Sequence, residues 1–347
     1  MNHLEYDIFV GCYGTEEEET IHWLTFDTEN GKLRKKRSFK GVENPSFVTT
    51  NHEQNRLYAV SEVEKGEVVS FEIDFKGHTI REMNRQLTKG GPCYLEVGEN
   101  GNHLFTANYG GGSLIVHALN RQGEIAGETD FKEYNASNSS HSSHIHTIRN
   151  IPNTTNYVAT DLGLNQLYFY EFDREERKLL HLKTLEAPQG SGPRHIAFHP
   201  FKNLLYVVNE YNSMILTYAY DKPIQNVHLL QELPTLPSDY KQDNYGADIH
   251  VTPSGKFVYV SNRGHHSITG YKILENGHLS SIGSTTPKGD WPRNFMVIPN
   301  EKYILVANEH TNNIVVMKIL KDGGLKYTGQ QLDIKKPVCL RVVSNSV

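Results

Sequence analysis

Four groups of ionisable side chains stand out by type and spacing: Ser143-His-Ile-His146, Arg194-His195 with Glu210, Asp248 and His250 with Arg263, and Arg293 with Glu309. Asp248-Ile-His250 repeats the spacing of His144-Ile-His146, as though the two were in register, with two polar side chains facing one way in each. These types suit proton transfer on an anionic substrate. Histidine titrates near neutrality, with an unperturbed pKa of roughly 6.5, and can draw a proton from water attacking an ester. Glu210 can orient or charge-balance such a base, or act as the base if desolvated. Arg194 and Arg263 offer forked donors to a phosphate, a carboxylate or a developing oxyanion, and Arg293 is a third anion contact.

Structural readings stand beside these. Arg194 and Glu210 also suit a cross-strand ion pair that ties two strands together, and His195 and His199 suit strand or turn histidines with satisfied hydrogen bonds. His144, His146 and His250 come from separate segments without a matching carboxylate set, so no metal is expected, nor an organic cofactor. Gly110-Gly-Gly112 reads as a flexible hairpin rather than a phosphate cradle.

The elements that must position these groups are short alternating strands in a repeating pair. Pro193 opens one strand and Asn209-Glu210 ends the next, an offset of 16 residues. The same offset joins Pro45 to Ser61, Pro92 to Asn108, Pro292 to Asn308 and, with glycine replacing proline, Gly246 to Asn262. A further copy is read from Ser143 to Thr160-Asp161, one residue longer. An antiparallel hairpin returns its second strand to the level where the first began, so Arg194, His195 and Glu210 meet at one end of one sheet. Starts recur every 46 to 53 residues, and each unit has room for four strands, the spacing of a propeller. Lys336–Val343 reads as a first strand with nothing after it, and Tyr6–Tyr13 as a second strand with nothing before it. Pairing them closes the ring and removes the open edge. The expectation is an all-β, seven-bladed β-propeller with four-stranded blades, one domain over 1–347. Its long polar loops, Thr15–Thr20, Lys132–His141 and Thr235–Asn244, fall on the same rim as the ionisable groups.

Composition narrows the function classes. A formal charge of −5 and a pI near 6.4 give no electrostatic reason to expect nucleic acid. No apolar run approaches membrane-spanning length, and Met1–Asp7 lacks the basic-then-apolar pattern of a secretory signal. Cys12, Cys93 and Cys339 are odd in number and widely spaced, as reduced thiols in a cytoplasmic protein would be.

Over essentially its whole length the chain resembles the seven-bladed propeller lactonases, a family that includes cycloisomerase-type 6-phosphogluconolactonases and carboxymuconate cyclases. The resemblance is carried by Ser143–His146, Gly192-Pro-Arg-His-Ile-Ala-Phe-His-Pro200, Val208-Asn-Glu210, Ala247–His250 and Ser261-Asn-Arg-Gly-His265, with echoes at Pro292-Arg293 and Ala307-Asn-Glu309. It implies His146, Glu210 and Arg194 as catalytic groups and Arg263 as a substrate contact; His144, His195, Asp248, His250 and Arg293, clustered with them at the channel mouth, are further substrate-binding candidates. The His-x-His spacing leaves open whether His144 or His146 points inward. The implied reaction is hydrolysis of 6-phosphoglucono-1,5-lactone in the pentose phosphate pathway, on a small anionic substrate. Arginines clamp carboxylates as readily as phosphates, so lactonisation of a muconate-type dicarboxylate is an alternative. A non-enzymatic interaction propeller is a third reading, although the blades lack the Gly-His and Trp-Asp marks of WD repeats.

Overall fold

A computed structural model describes residues 5–134 and 142–344. Its strands form seven four-stranded antiparallel sheets. Six are built from consecutive strands. In the seventh, Pro337–Ser344 pairs with Glu5–Cys12, which continues into Ile21–Asp27 and Lys32–Phe39. Tyr6 lies opposite Ser344 and Gly11 opposite Cys339, so the ring is closed by backbone hydrogen bonds between its ends. This is the seven-bladed propeller expected from the repeat.

The burial pattern follows distance from the axis. Second strands such as Leu204–Asn209 and Tyr303–Asn308 are buried at every position, because neighbouring blades cover both their faces. The outermost strands, such as Lys178–Glu186, expose most of their side chains and carry lysines along the free edge, which discourages pairing with other chains. Among the described residues the apolar core divides into seven clusters, one at each junction between adjacent blades. At one junction Phe105 stacks on Tyr157 at 4.3 Å and meets Phe172 edge-on at 5.0 Å. Each such pair adds about 0.5–1.5 kcal/mol beyond area burial.

The inner strands share an irregularity that matters for the site. Pro193 opposes Asn209, but His195 opposes Val208, so one residue is inserted between them. The same shift follows Pro92, Ile145, Gly246 and Pro292, and one recurs where Pro337–Ser344 meets Cys12. A β-bulge of this kind re-aims side chains, and here it turns two successive residues, such as Arg194 and His195, toward the axis. The bulge also corrects the reading of one repeat. Ile145, not Ser143, opposes Asp161, with the common offset of 16 and no extra residue. Asp161 instead holds the preceding segment, accepting hydrogen bonds from Ser143 Oγ (2.6 Å) and the His144 amide (3.0 Å). His146 is therefore equivalent to Arg194 and Arg293, while His144–His146 and Asp248–His250 are not in register.

Two of the three rim loops are described in full. The acidic run is tethered by lysines, with Glu18 paired to Lys335 and Glu19 to Lys35 at 3.3 Å. The ends of the Thr235–Asn244 loop are pinned to Asn262 through Thr235 Oγ1 (2.7 Å) and Asn244 Nδ2 (3.2 Å). Residues 135–141 of the remaining loop lie outside the described residues.

Candidate active site

The channel is furnished in tiers. At the rim, the ends of the second strands and the residues that follow them supply Tyr13, Glu62, Tyr109, Glu210, Arg263 and Glu309. One level down, the residues before each bulge supply Cys93, His146, Arg194 and Arg293 around a chamber of about 20 Å³. Below that, the residues after the bulge supply Phe47, Tyr94, His195, Asp248 and Asn294.

Charge at the first two tiers is arranged as shared pairs. Arg194 Nε and Arg263 Nη2 both reach Glu210 Oε2, at 2.8 and 2.7 Å. Burial works to raise the Glu210 pKa, but Arg263 and Arg194 outweigh it and hold the carboxyl below its ordinary value. Arg263 is itself pushed down to about 9, first by burial and then by repulsion from Arg194. It remains charged at neutral pH. Arg293 donates to Tyr13 Oη at 2.8 Å, sits 3.9 Å from Glu309 Oε2, and lies 5.3 Å from the Tyr13 ring. Tyr13 in turn donates to Glu62 Oε2 at 3.1 Å. Arg194 Nη1 also donates to the Ala247 carbonyl at 2.6 Å, which fixes the guanidinium plane across a blade junction.

His146 is the unpaired group in this setting. Its ring is buried, its Nδ1 has no hydrogen-bond partner, and Tyr109 and His195 meet it edge-to-face at 5.6 and 5.0 Å. Burial first, and then Arg194, His195, Arg293 and Arg263, drive its pKa well below 6.5, so the imidazole is neutral and able to accept a proton. The adjacent Cys93 thiol donates to the His146 carbonyl at 3.4 Å and is pushed up by burial, so it is not a nucleophile.

His195 looks similar in sequence but differs in its bonding. Asp248 accepts from His195 Nδ1 (2.8 Å), the Ile249 amide (2.9 Å), His250 Nε2 (3.0 Å), Asn294 Nδ2 (2.6 Å) and the Phe295 amide (3.2 Å). Burial alone would raise this carboxyl, but the flanking histidines and their hydrogen bonds outweigh it and hold it well below the usual carboxylate range. An ionised acceptor there puts the proton of His195 on Nδ1, leaving Nε2 to accept from Arg194 Nη1 at 3.4 Å. His195 is pushed down to about 4, mainly by burial and then by Arg194. Asn294 Oδ1 accepts from the Leu340 amide at 2.7 Å, and Phe47 and Tyr94 complete the tier with ring centroids 4.1 Å apart. The tier forms a cross-wall in the channel.

Over Arg263 lies an aromatic ledge. Trp291 stacks on His310 at 4.6 Å and 12°, its ring is 5.6 Å from the Arg263 guanidinium, and Tyr245 stands 6.0 Å away. Trp291 has φ of 63°, a left-handed conformation that costs energy for a bulky residue. Its amide bonds to His266 Nδ1 (3.0 Å) and its carbonyl to the Glu309 amide (3.1 Å) hold it there.

The structure thus gathers His146, Arg194, Glu210, Arg263, Arg293 and His195 at one end of the channel. Of the other anticipated residues, His144 stacks flat on Tyr109 at 4.5 Å and bonds to its carbonyl, outside the chamber. Asp248 is committed to the cross-wall, and His250 faces the lower side of that wall. Tyr13, Glu62, Asn294 and Trp291 were not anticipated. Tyr13 and Glu62 occupy the Glu210 position of their own repeats, a signal the repeat alignment carries; Trp291 rests on a backbone conformation no pattern announces. Among the described residues no group of three or more His, Cys, Asp or Glu is arranged to hold a metal ion, and no helix is long and apolar enough to cross a membrane.

Comparison with known proteins agrees with this architecture. A family model described as lactonase, 7-bladed beta-propeller, matches residues 7–342. The chain is 29% identical over 294 residues to a 6-phosphogluconolactonase of Bacillus subtilis, covering 83% of this chain and 84% of that one. It is 30% identical over 309 residues to a 6-phosphogluconolactonase of Formosa agariphila, covering 83% and 85%. The crystal structure of a periplasmic gluconolactonase from Pseudomonas aeruginosa superposes with a TM-score of 0.92 at 25% identity, covering 98% of this chain and 99% of that one. Closed ring, matched length and shared sequence together show that the chain belongs to the seven-bladed β-propeller lactonase family.

Proposed function

We propose that this lactonase opens 6-phosphoglucono-1,5-lactone to 6-phosphogluconate, with His146 as the base that activates water. The observation that carries this reading is the neutral imidazole of His146, its Nδ1 unpartnered, beside a chamber of about 20 Å³ that Arg194 and Arg293 also line, with Arg263 on the rim above. That volume is close to one water, for which a probe sphere needs about 10–15 Å³. The body of the substrate therefore lies above, on the rim, with its carbonyl carbon directed down at the water.

The charge balance favours an anionic substrate. A proton on His146 in the empty site would sit among Arg194, Arg263 and Arg293 and be repelled by all three. A phosphate or carboxylate bound to those arginines cancels part of that repulsion, so the base strengthens when substrate arrives. The guanidiniums also stabilise the oxyanion of the tetrahedral intermediate, a contribution of the kind that typically supplies a few kcal/mol per donor. Glu210 holds Arg194 and Arg263 in place, and both of those arginines compete for the lone pairs it would need to act as a base. The Trp291–Tyr245 ledge offers an apolar face to the sugar ring. A cytoplasmic location belongs to the same proposal, supported by three free, buried cysteines.

A pH-stat assay on the purified chain tests the reaction. Acid release from the phosphorylated lactone well above the buffer rate, lost in His146→Asn, supports it. Release no faster than buffer overturns it, and activity on a muconate-type dicarboxylate alone would move the same site to the cyclase reaction.

A further inference from the structure

Below the cross-wall the channel opens again into a chamber of about 200 Å³. Its charged walls come from the inner-strand residues two places beyond the wall: Glu96, Arg149, His250 and Arg341. That is about ten times the upper chamber, room for several waters and enough for a three-carbon hydroxy acid or a phosphate.

The two arginines are under-used by the protein. Arg149 Nη1 donates to the Ile196 carbonyl at 3.1 Å, while its Nε is buried with no hydrogen-bond partner. Arg341 Nε donates to Thr50 Oγ1 at 3.3 Å. Both of these acceptors are neutral oxygens, whereas a guanidinium taken out of water is best compensated by a forked oxyanion. Glu96 Oε1 accepts one long hydrogen bond, from the Asn150 amide at 3.3 Å. Burial raises its pKa against the pull of Arg149 and Arg341, and its oxygens are left to meet a ligand hydroxyl. The Asp248 carboxylate above is saturated by its five donors and does not compete for the arginines. Arg341 and Arg149 stand on strands that flank the inner strands carrying Thr49 and Glu96, so donors approach from two sides of the chamber.

We propose that this lower chamber is a second ligand site, taking a small oxyanion between Arg149 and Arg341, with Glu96 and His250 meeting any hydroxyl groups it carries. The site stands independently of the lactone chemistry on the far side of the wall. Its ligand class is a hydroxy carboxylate or phosphate, reached from the face opposite the catalytic rim.

Calorimetric titration of the full chain with D-glycerate, and separately with inorganic phosphate, distinguishes the two sources of oxyanion. Saturable binding of at least one is expected, weakened tenfold or more by Arg149→Met or Arg341→Met and changed less than twofold by Arg263→Met at the rim. Absence of saturable binding to the unaltered chain overturns the proposal, as does a loss confined to Arg263→Met. Phosphate binding without glycerate binding would keep the arginine grip and overturn the role of Glu96 and His250. Should the arginine variants not fold, crystals of the unaltered chain soaked in selenate decide the matter. Anomalous density between Arg149 and Arg341 is the expected result, and density only among Arg194, Arg263 and Arg293 rejects it.

Discussion

His146 and His195 meet edge-to-face with ring centroids 5.0 Å apart, yet only His195 has both ring nitrogens engaged. The difference divides their roles. His195 is a strut between Arg194 and Asp248, while His146 keeps a lone pair for a proton. Replacing His146 with asparagine is therefore expected to lower kcat by about 100- to 10,000-fold, the usual contribution of a positioned base. Its melting temperature should hardly move. Steady-state kinetics beside thermal melting would show the contrast, and equal losses of activity in His146→Asn and His195→Asn would contradict it.

The pH profile should carry the same signature. His146 in the free enzyme has its pKa well below 6.5, so kcat/KM should hold steady through pH 6.5 and fall only in more acid solution. Bound anionic substrate relieves repulsion from the arginines, so the acid limb of kcat should lie at higher pH than that of kcat/KM. Rates measured from pH 4 to 8 at low and saturating substrate test the order of the two limbs.

Glu210 is expected to matter more to stability than either arginine it binds. Glu210→Gln leaves two buried guanidiniums facing each other, and breaking a buried pair from one side costs about 3–5 kcal/mol. Arg194→Met should cost less, because Glu210 keeps Arg263 at 2.7 Å. Urea unfolding of the two variants would rank them, and the reverse order would show that the carboxylate is not the hub.

Trp291→Ala should act on binding rather than chemistry. Loss of a ring face of this kind is worth on the order of 1 kcal/mol, so a rise in KM of about fivefold with kcat nearly unchanged is the expected outcome. Initial-rate measurements against substrate concentration check it.

Acid should loosen the fold before carboxylates titrate. His195 and His22 are buried neutral, with pKa values pushed down to about 4, each chiefly by burial. The unfolded chain takes up those protons near 6.5, so stability is at its full value above that pH and declines as pH falls from 6.5 toward 4. Denaturant midpoints at pH 7.5, 6, 5 and 4 should fall in that order, and His195→Gln should flatten the decline.

Much of this architecture was legible in the chain because a hairpin imposes a fixed offset. Sixteen residues from Pro193 to Asn209 are opposite partners in the sheet, and the recurrence of that number exposed both the blades and the face on which Arg194, Glu210 and Arg263 gather. The bulge was not legible, since it leaves the count unchanged while turning an extra side chain inward. That is why the Ile145 start was misplaced; Asp248 and His250 do face one way, into the channel, but at successive levels, in the wall and beneath it. Proline had marked the other starts, and isoleucine occupies its place here. The pairing of Arg293 with Tyr13 joins residues 280 positions apart in the chain, so no local pattern could reveal it.

The closure of the wheel by Pro337–Ser344 also sets an order on biosynthesis. Glu5–Cys12 leaves the ribosome among the first segments, but one of its backbone edges has no partner until the last blade segment emerges. At about 5–20 residues per second that interval lasts on the order of tens of seconds. Throughout it, a buried-type strand offers an open template to any passing chain, and Tyr13 waits for the arginine it will hold. Until Pro337–Ser344 is made the wheel has a gap, so a ribosome stalled before that segment would leave an open strand edge instead of a shorter working enzyme.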